Sequence, residues 1–492
     1  MTSLLRSKIK EKDLNKIMES INAQTYLKPV SGDRLDVYWL IKPFARAIIK
    51  KDNYILEEPK LNENEYILLE VLYRKLRDKI ILKNEPNFDN KDIILFAEFI
   101  NEVKKSRIDI TTIGKIWYYL RREFLGYGKL DPIFKDPYIE DISCSGYSLP
   151  VYVYHRIYGS LRTNILFEED ELDKFVLKLA QKANTQVSLE SPIADSTLPT
   201  GERIQVTYRK VASTRGSTFS IRKTPEEPIT VVDLVAWNTV DSAIAALIWL
   251  CVESRLNMLI TGSTASGKTT MLNAVSLFIP KNTKIISIED TREVRLPHEN
   301  WTPFLVNDSD EMFEMLKTSL RQRPEFLLVG EIRGKEAITM FQAMNTGHTT
   351  YSTLHAGDAD SAVNRLIYDP INVPLAMFDA LDLLMVLKID HIKGNMVRRM
   401  VSLYMIDLVG GTQIRKYPLF MWSKSNDRFI ITEHYNMLVD RIARTFGKSR
   451  DFVEDEIQRR SEFIGNLLVE RPNMYELMEL INNYREEFYE RL

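Results

Sequence analysis

The spacing of apolar and polar residues divides the chain into stretches with different predicted secondary structure. Residues 1 to about 125 place apolar side chains three and four positions apart with charges between them, which predicts a mostly helical extension. Residues 126–223 hold several short strand-like runs around one helical stretch, which predicts an α+β domain. Helical stretches and apolar strands then alternate over 231–430, and such alternation is typical of a parallel sheet covered by helices. The chain becomes helical and charged again over 431–492.

The predicted strands are short in both sheet-forming regions. Those of the first region cover 139–143, 151–154, 161–167, 203–208 and 217–221, with a helix over 168–183. Those of the second region cover 257–261, 284–288, 326–329 and 349–353, with helices over 242–252, 269–277 and 310–320. Pro225 and Pro228 lie between the two regions and predict an extended linker over 224–230.

Composition narrows the setting of the protein. The chain has 492 residues, 45% of them hydrophobic, and a formal net charge of −2, so no overall charge favours nucleic acid. Its two cysteines, Cys144 and Cys251, are too few and too far apart for a disulfide framework or a structural zinc site. The best apolar run, Ala243–Val252, is too short to span a bilayer, and the first residues lack the apolar segment of a signal peptide. We therefore expect a protein of the reducing cytoplasm.

One stretch has the spacing of a phosphate-binding loop, with two glycines five positions apart and a lysine and a threonine after the second. Glycines let the backbone pass close to phosphates, and the amides at a helix start point donors at anionic oxygens. Lys268 would bring charge to the outer phosphates and Thr269 a hydroxyl to magnesium. A tight glycine turn between a strand and a helix is the alternative. The predicted nucleotide-binding residues are Gly262, Ser263, Thr264, Ala265, Ser266, Gly267, Lys268, Thr269 and Thr270.

Carboxylates follow two later apolar strands. Glu331 comes just after the strand predicted at 326–329, and Glu289 and Asp290 come after the strand at 284–288. The carboxyl ends of parallel strands form the ligand edge of such a sheet, so these groups are candidates for holding magnesium or activating water. The alternatives are an exposed loop glutamate at 331 and a helix N-cap at Asp290.

Two of the six histidines, His348 and His355, flank the last predicted parallel strand. An imidazole at the end of this strand, such as that of His355, is a candidate for contacting a terminal phosphate. A buried histidine of the core is the alternative. Metal binding is disfavoured because no cysteine or third histidine is near in the sequence.

These four motifs together resemble a family, the hexameric secretion ATPases of the type II/type IV secretion, type IV pilus and archaellum superfamily. The similarity covers about 125–410. The matching segments are Gly262–Thr270 as Walker A, Glu289–Glu293 as the aspartate box, Phe326–Glu331 as Walker B, Gly347–His355 as the histidine box, and the upstream segments Gly126–Pro132, Asp136–Ile142, Leu198–Arg203 and Phe219–Arg222.

The resemblance implies a fold and a set of roles. The fold would be α/β, a RecA-like P-loop core with an N-terminal α+β (PAS-like) domain and helical N- and C-terminal extensions. Glu289 would activate water, Glu331 would hold magnesium with Thr269, His355 would sense the phosphate end, and Lys268 would bind phosphates. ATP and Mg²⁺ would be the ligands. Two arginines of the N-terminal domain, Arg203 and Arg222, would reach the nucleotide.

The chain departs from relatives that carry a four-cysteine zinc site, and Gly334 stands where an aspartate is frequent. The aspartate box also departs, since Asp290 is followed by threonine and not by proline, and this variant and the helical extensions resemble the archaeal branch.

The implied activity is ATP hydrolysis by a homohexamer at the inner face of the cell membrane. The ring would act on a polytopic membrane platform protein and, through it, on pilin-like filament subunits, with the linker over 224–230 as a hinge. No nucleic acid is expected as partner. A nucleic-acid motor and a non-hydrolysing ATP-dependent assembly switch are the rival functions.

Overall fold

The computed structural model describes residues 11–30, 34–81, 91–104, 108–223, 228–306 and 309–491. The chain divides into two compact units, Met1–Lys223 and Thr224–Leu492. Each is described by itself below. Across the described ranges, no helix is long and apolar enough to cross a membrane.

The first unit is built around one mixed sheet with helices packed on it. Its strands are β1 (Asp36–Ile41), β2 (Ala45–Lys50), β3 (Asn53–Glu57), β4 (Ile139–Cys144), β5 (Pro150–His155), β6 (Gly159–Leu166), β7 (Ile193–Thr197), β8 (Arg203–Thr207) and β9 (Thr218–Arg222). Its helices are α1 (Glu11–Asn22), α2 (Glu63–Ile81), α3 (Lys91–Val103), α4 (Ile110–Phe124), α5 (Asp131–Phe134), α6 (Glu169–Lys182) and α7 (Arg209–Ala212).

The nine strands of this unit form a single sheet in the order β1-β2-β3-β6-β5-β4-β9-β8-β7. The prediction of a mostly helical extension over 1–125 is therefore wrong for 36–57, which form three strands. These strands join the sheet at β3 and β6, so the predicted division at 125/126 falls inside one sheet and one compact unit. The strand β7 was also not predicted.

The junction between β3 and β6 is narrow. These two strands run parallel and pair only Asn53 with Arg162 and Tyr54 with Thr163. One residue further on, the side-chain amide of Asn164 replaces backbone pairing. It accepts a hydrogen bond from the Leu56 N–H at 2.8 Å and donates one to the Leu56 carbonyl at 2.9 Å.

A buried carboxylate also ties the N-terminal strands to the rest of the sheet. Asp136 is fully buried, and its Oδ2 accepts hydrogen bonds from the hydroxyls of Tyr38 at 2.8 Å and Tyr54 at 2.7 Å. Burial next to this carboxylate raises the pKa of both phenols well above the ordinary value, so both remain protonated donors.

The second unit contains a larger share of parallel strands. Its strands are β10 (Met258–Gly262), β11 (Ile285–Glu289), β12 (Trp301–Leu305), β13 (Phe326–Ile332), β14 (Thr349–His355), β15 (Leu383–Ile392), β16 (Asn395–Val409), β17 (Gln413–Ser423) and β18 (Arg428–Ile431). Its helices are α8 (Val231–Ala236), α9 (Ser242–Glu253), α10 (Lys268–Ser276), α11 (Ser309–Leu320), α12 (Glu336–Asn345), α13 (Ala359–Ile367), α14 (Tyr435–Phe446), α15 (Arg450–Glu470) and α16 (Met474–Arg491).

Its sheet has the order β12-β11-β13-β14-β10-β15-β16-β17-β18. The strands from β12 to β15 are mutually parallel, and four of them, β11, β13, β14 and β10, are the predicted ones. The sequence did not predict β12 and β15, nor the antiparallel pairings that join β15 to β18. The parallel strands β10 and β11 are buried along their whole length, because helices cover both faces of the sheet. Alternate residues of β10 face different cores: Met258 and Ile260 belong to one apolar cluster and Leu259 to another.

The C-terminal helices belong to the same core as the parallel sheet. Apolar residues of α15 and α16 are buried in one cluster with those of α9 and α10. Within it, Arg460 is fully buried and pairs with Glu253 at 2.8 Å and Glu456 at 2.9 Å. Arg485 pairs with the other oxygen of Glu253 at 2.8 Å and donates to the Phe278 carbonyl, just after α10, at 2.6 Å. The predicted C-terminal helical region thus supports α10, the helix that follows the predicted phosphate-binding loop.

The predicted linker over 224–230 is only partly covered. Residues 224–227 lie outside the described residues. Thr230 caps α8, since its hydroxyl accepts from the Asp233 N–H while the Asp233 carboxylate accepts from the Thr230 N–H. The role of this segment as a hinge stays a prediction.

Candidate nucleotide-binding site

The loop between β10 and α10, which is predicted to bind phosphates, depends on glycine at two positions. A Cβ on Gly262 would lie 2.4 Å from the Ser266 hydroxyl and 2.5 Å from the Leu387 carbonyl, so only glycine fits there. Gly267 caps α10 with a φ of +93°, a conformation that other residues avoid. Ala265 also has a positive φ, +61°. The loop therefore turns back on itself and begins a helix at Lys268.

The predicted binding residues lie along this loop and the first turn of α10. Lys268, Thr269 and Thr270 form the start of the helix, whose first amides have no partner within the helix and favour anions. The Lys268 ammonium donates to the Ser263 carbonyl at 3.2 Å. The Ser266 hydroxyl is buried and has no hydrogen-bond partner among the residues that the structure describes.

Strand register brings the other candidate residues to the same edge of the sheet. On the neighbouring strands β10 and β14, Gly262 lies opposite His355. On β14 and β13, Thr353 lies opposite Glu331. Glu289 ends β11, the strand on the far side of β13, and its Cγ lies 3.2 Å from a Cβ built on Gly330. The sequence prediction that these motifs meet at the carboxyl ends of parallel strands thus agrees with the strand order.

The side chain of Glu289 is buried, with 1% exposure, and is oriented by the backbone. Its Oε1 accepts hydrogen bonds from the N–H of Val294 at 2.8 Å and of Glu293 at 3.1 Å. Its Oε2 has no hydrogen-bond partner within the described part of the chain. Burial raises the pKa of Glu289 to about 7, against the opposing effect of the two backbone donors. A carboxylate with this pKa and one unpartnered oxygen has the properties of a general base.

Glu331 lies within its strand, whereas the sequence predicted that it would follow the strand. A β-bulge at Gly330 shifts the register between β13 and β14, and pairing resumes at Glu331, so β13 continues to Ile332. The Thr353 hydroxyl donates to the Gly330 carbonyl at 2.6 Å and fixes the bulge. Apolar content alone cannot reveal such an extension, since the strand residues after the bulge are a glutamate and an isoleucine.

A residue that the sequence analysis did not single out connects the carboxylates. Arg333 contacts Glu331 Oε2 through Nη2 at 2.6 Å and through Nε at 3.1 Å. Its Nη1 lies 3.2 Å from Asp290 Oδ2. Arg333 therefore joins the ends of β11 and β13. Its position in the sequence, two residues after Glu331, is the one feature by which it could have been chosen as a candidate site residue. Asp290 makes this ion pair, and the predicted alternative of a helix N-cap is wrong because an irregular segment follows it.

The two histidines of the last motif are not brought together. His355 ends β14 at the edge with the loop, and its carbonyl accepts from Arg365 at 2.6 Å. His348 precedes the same strand at the opposite end and contacts the Thr346 hydroxyl through Nδ1 at 3.2 Å. Only His355 lies beside Gly262.

The two predicted arginines of the N-terminal region are neighbours in the first unit. Arg203 on β8 lies directly opposite Arg222 on β9. Like charges in this position destabilise a sheet unless they are compensated. Arg203 forms an ion pair with Asp195 at 3.0 Å and Arg222 with Asp141 at 3.4 Å, and all four side chains are partly exposed. Their approach to a nucleotide stays a prediction.

The residues present suit ATP and magnesium. Gly262 lets the loop pack closely against Ser266 and Leu387, and the start of α10 and Lys268 supply donors for phosphate oxygens. Thr269 and Glu331 offer hydroxyl and carboxylate oxygens, the hard ligands that magnesium prefers.

The sequence of this chain is similar to that of a known family. The family model described as "Type II/IV secretion system protein" matches residues 153–378. The uncharacterized protein MJ0900 of Methanocaldococcus jannaschii is 38% identical over 394 residues, 77% of this chain and 71% of that protein. The probable conjugal transfer protein TrbB of Sinorhizobium fredii is 35% identical over 193 residues, 38% of this chain and 59% of that protein. The solved structure of the Legionella pneumophila ATPase DotB aligns at 17% identity and a TM-score of 0.43, over 69% of this chain and 89% of its own.

The class defined by the sheet edge is a P-loop protein with a parallel core. Within that class, the chain belongs to the family of type II/IV secretion system proteins. Members of this family are ATPases.

Proposed function

We propose that this protein hydrolyses ATP and uses the energy to drive export or filament assembly at a membrane. The observation that carries the proposal is the alignment of four strand ends, which brings the loop at Gly262 to one sheet edge with Glu289, Glu331 and His355. Family membership supports the same activity.

The residues divide the chemistry among them. Lys268 and the first amides of α10 bind the phosphates. Ionised Glu289 accepts a proton from the attacking water on Oε2, while the backbone donors at Glu293 and Val294 hold Oε1 in place. Its pKa of about 7 leaves it substantially ionised near neutral pH. His355, beside the loop, contacts the terminal phosphate.

Thr269 and Glu331 hold magnesium, which when bound neutralises charge on the phosphate oxygens. Arg333 keeps the Glu331 carboxylate in a fixed orientation through its two contacts to Oε2.

The coupling requires a ring. In the proposed hexamer, Arg203 and Arg222 add positive charge to the nucleotide, as an arginine finger does with a gain of about 10³–10⁵ in rate. Movement about the segment over 224–230 then transmits the reaction to a polytopic membrane platform protein, which moves pilin-like subunits. Localisation at the inner face of the membrane follows from this partner.

Hydrolysis per subunit, measured against protein concentration with increasing doses of Lys268→Ala chains, tests the proposal. We expect specific activity to rise with concentration and to fall faster than the dose of the variant, because active sites depend on their neighbours. A flat activity that the variant merely dilutes would overturn the ring. Turnover that requires added DNA would favour a nucleic-acid motor, and bound but uncleaved ATP would favour an assembly switch.

A further inference from the structure

An arginine outside all the motifs contacts the phosphate-binding loop. The strands β15 and β16 form a hairpin that extends beyond the end of β10, since Gly262 pairs with Leu387 and β15 continues to Ile392. Arg398 lies on the extended part of β16, opposite Ile389. Its Nε donates a hydrogen bond to the Ala265 carbonyl at 2.9 Å.

The same side chain passes both residues of the loop that have a positive φ. Ala265 has a φ of +61° and Gly267 a φ of +93°. The Cδ of Arg398 lies 3.7 Å from a Cβ built on Gly267, which is ordinary van der Waals contact. Glycine adopts such a backbone conformation without strain, but alanine does not, because its Cβ approaches the following carbonyl oxygen.

The backbone around Ala265 therefore needs an external restraint. A charge-assisted hydrogen bond to its carbonyl fixes the orientation of the peptide between Ala265 and Ser266. The Ser266 N–H donates within the loop to the Ser263 carbonyl at 3.3 Å. Fixing this peptide leaves the N–H groups at the start of α10 to point toward an anion.

We infer that Arg398 is a positioning residue, which holds the loop at Ala265 in its phosphate-binding shape and so raises the affinity for the nucleotide's phosphates. The inference rests on the proposed binding of ATP. It gives the antiparallel hairpin of β15 and β16 a function in the nucleotide site, and it assigns no contact between Arg398 and the reacting atoms.

Binding of a fluorescent ADP analogue to the full chain, with steady-state ATP hydrolysis alongside, tests this role. We expect Arg398→Ala to raise the Kd and the KM for ATP about tenfold, the effect of losing a hydrogen bond from a charged group, while kcat changes less than about twofold. Arg415→Ala is the matched control, because it removes an exposed arginine from β17, away from the loop. Arg415 lies opposite Asp407, and Asp407 is nine residues from Arg398 along β16. It should bind as wild type does.

Ala265→Gly separates positioning from direct contact. Glycine needs no restraint at a positive φ, so Arg398→Ala should weaken binding about twofold or less when introduced into Ala265→Gly. An equal loss in both backgrounds would overturn the inference and indicate a direct contact with the nucleotide. Wild-type affinity of the single variant Arg398→Ala would overturn it too.

Hydrogen exchange distinguishes a failure of this inference from a failure of the proposed function. Arg398→Ala should speed exchange of the loop amides between Ala265 and Lys268, whether or not the protein binds ATP. Unchanged exchange in a wild-type protein that hydrolyses ATP would overturn the inference alone. If Arg398→Ala speeds exchange but the wild type binds no nucleotide, the first result supports positioning of the loop by Arg398. The second result overturns the proposed function.

Discussion

At the scale of single residues, Glu289 shows how the fold orients and buries a side chain of the candidate site. Two backbone N–H groups orient one carboxylate oxygen, and burial leaves the other without a partner among the described residues. The burial disfavours the charged form, so the folded protein keeps a proton on this group to higher pH than the unfolded chain does.

We expect Glu289→Gln to stabilise the protein at pH 8 and to have little effect at pH 4. The pKa of Glu289 is about 7 in the folded protein and about 4.3 in an unfolded chain. The wild type therefore loses stability as the pH rises from the lower to the higher value, and the neutral glutamine does not. Thermal unfolding of both proteins between pH 4 and pH 8 measures the difference.

The control for this prediction is Glu490→Gln, which replaces an exposed carboxylate at the end of α16. Its difference from wild type should be small and of similar size across the range. A constant difference for Glu289→Gln would show that burial does not disfavour its ionised form.

At the scale of elements, the pattern of apolar residues predicted the parallel core but not its surroundings. The strands predicted at 257–261 and 284–288 lie within one residue of those in the structure. They could be predicted because continuous apolar runs bounded by polar residues are typical of buried parallel strands. The strand β15 begins with a buried apolar run, but apolar content alone does not show which strands pair or in which direction, so the antiparallel arrangement of β15 to β18 was not predicted. The site residues at strand ends followed from motif spacing, whereas Arg398 depends on a hairpin that spacing cannot reveal.

The C-terminal helices give the prediction at this scale. We expect Arg485→Met to lower the free energy of unfolding by about 3–5 kcal/mol, because it leaves the buried Glu253 without one of its partners and the Phe278 carbonyl without its donor. Urea unfolding, followed by the fluorescence of Trp249 and the other tryptophans, measures the change.

A neighbouring arginine is the control. Arg459 is partly exposed and lies 3.5 Å from Glu456, so Arg459→Ala should cost about 1 kcal/mol or less. Equal losses for both variants would contradict a role of the buried contacts in anchoring α16.

At the scale of the whole molecule, the boundaries of the compact units differ from the domain boundaries that the sequence predicted. The motifs of the family resemblance begin near Gly126, yet the strands before it share a sheet and an apolar core with the strands after it. Sequence similarity follows inherited segments, whereas cooperative folding follows shared burial, and the two need not coincide.

We expect a fragment of residues 1–223 to unfold in a single cooperative transition and a fragment of 126–223 to fail to fold. The shorter fragment exposes the edge of β6 and leaves the buried Asp136 without Tyr38 and Tyr54. Circular dichroism with thermal melting compares the two, and a cooperative melt of the shorter fragment would contradict the prediction.

The narrow junction of β3 and β6 has a consequence for how this sheet changes in evolution. Two backbone pairings and the amide of Asn164 join the strands there, so much of the joint's dependence on sequence is concentrated in one side chain. Drift elsewhere along β6 leaves the joint intact provided that alternation is preserved, whereas an inherited change at Asn164 removes two hydrogen bonds at once. A lineage that exchanges its N-terminal strands for others must therefore accommodate the replacement at Asn164, as it must at the buried Asp136.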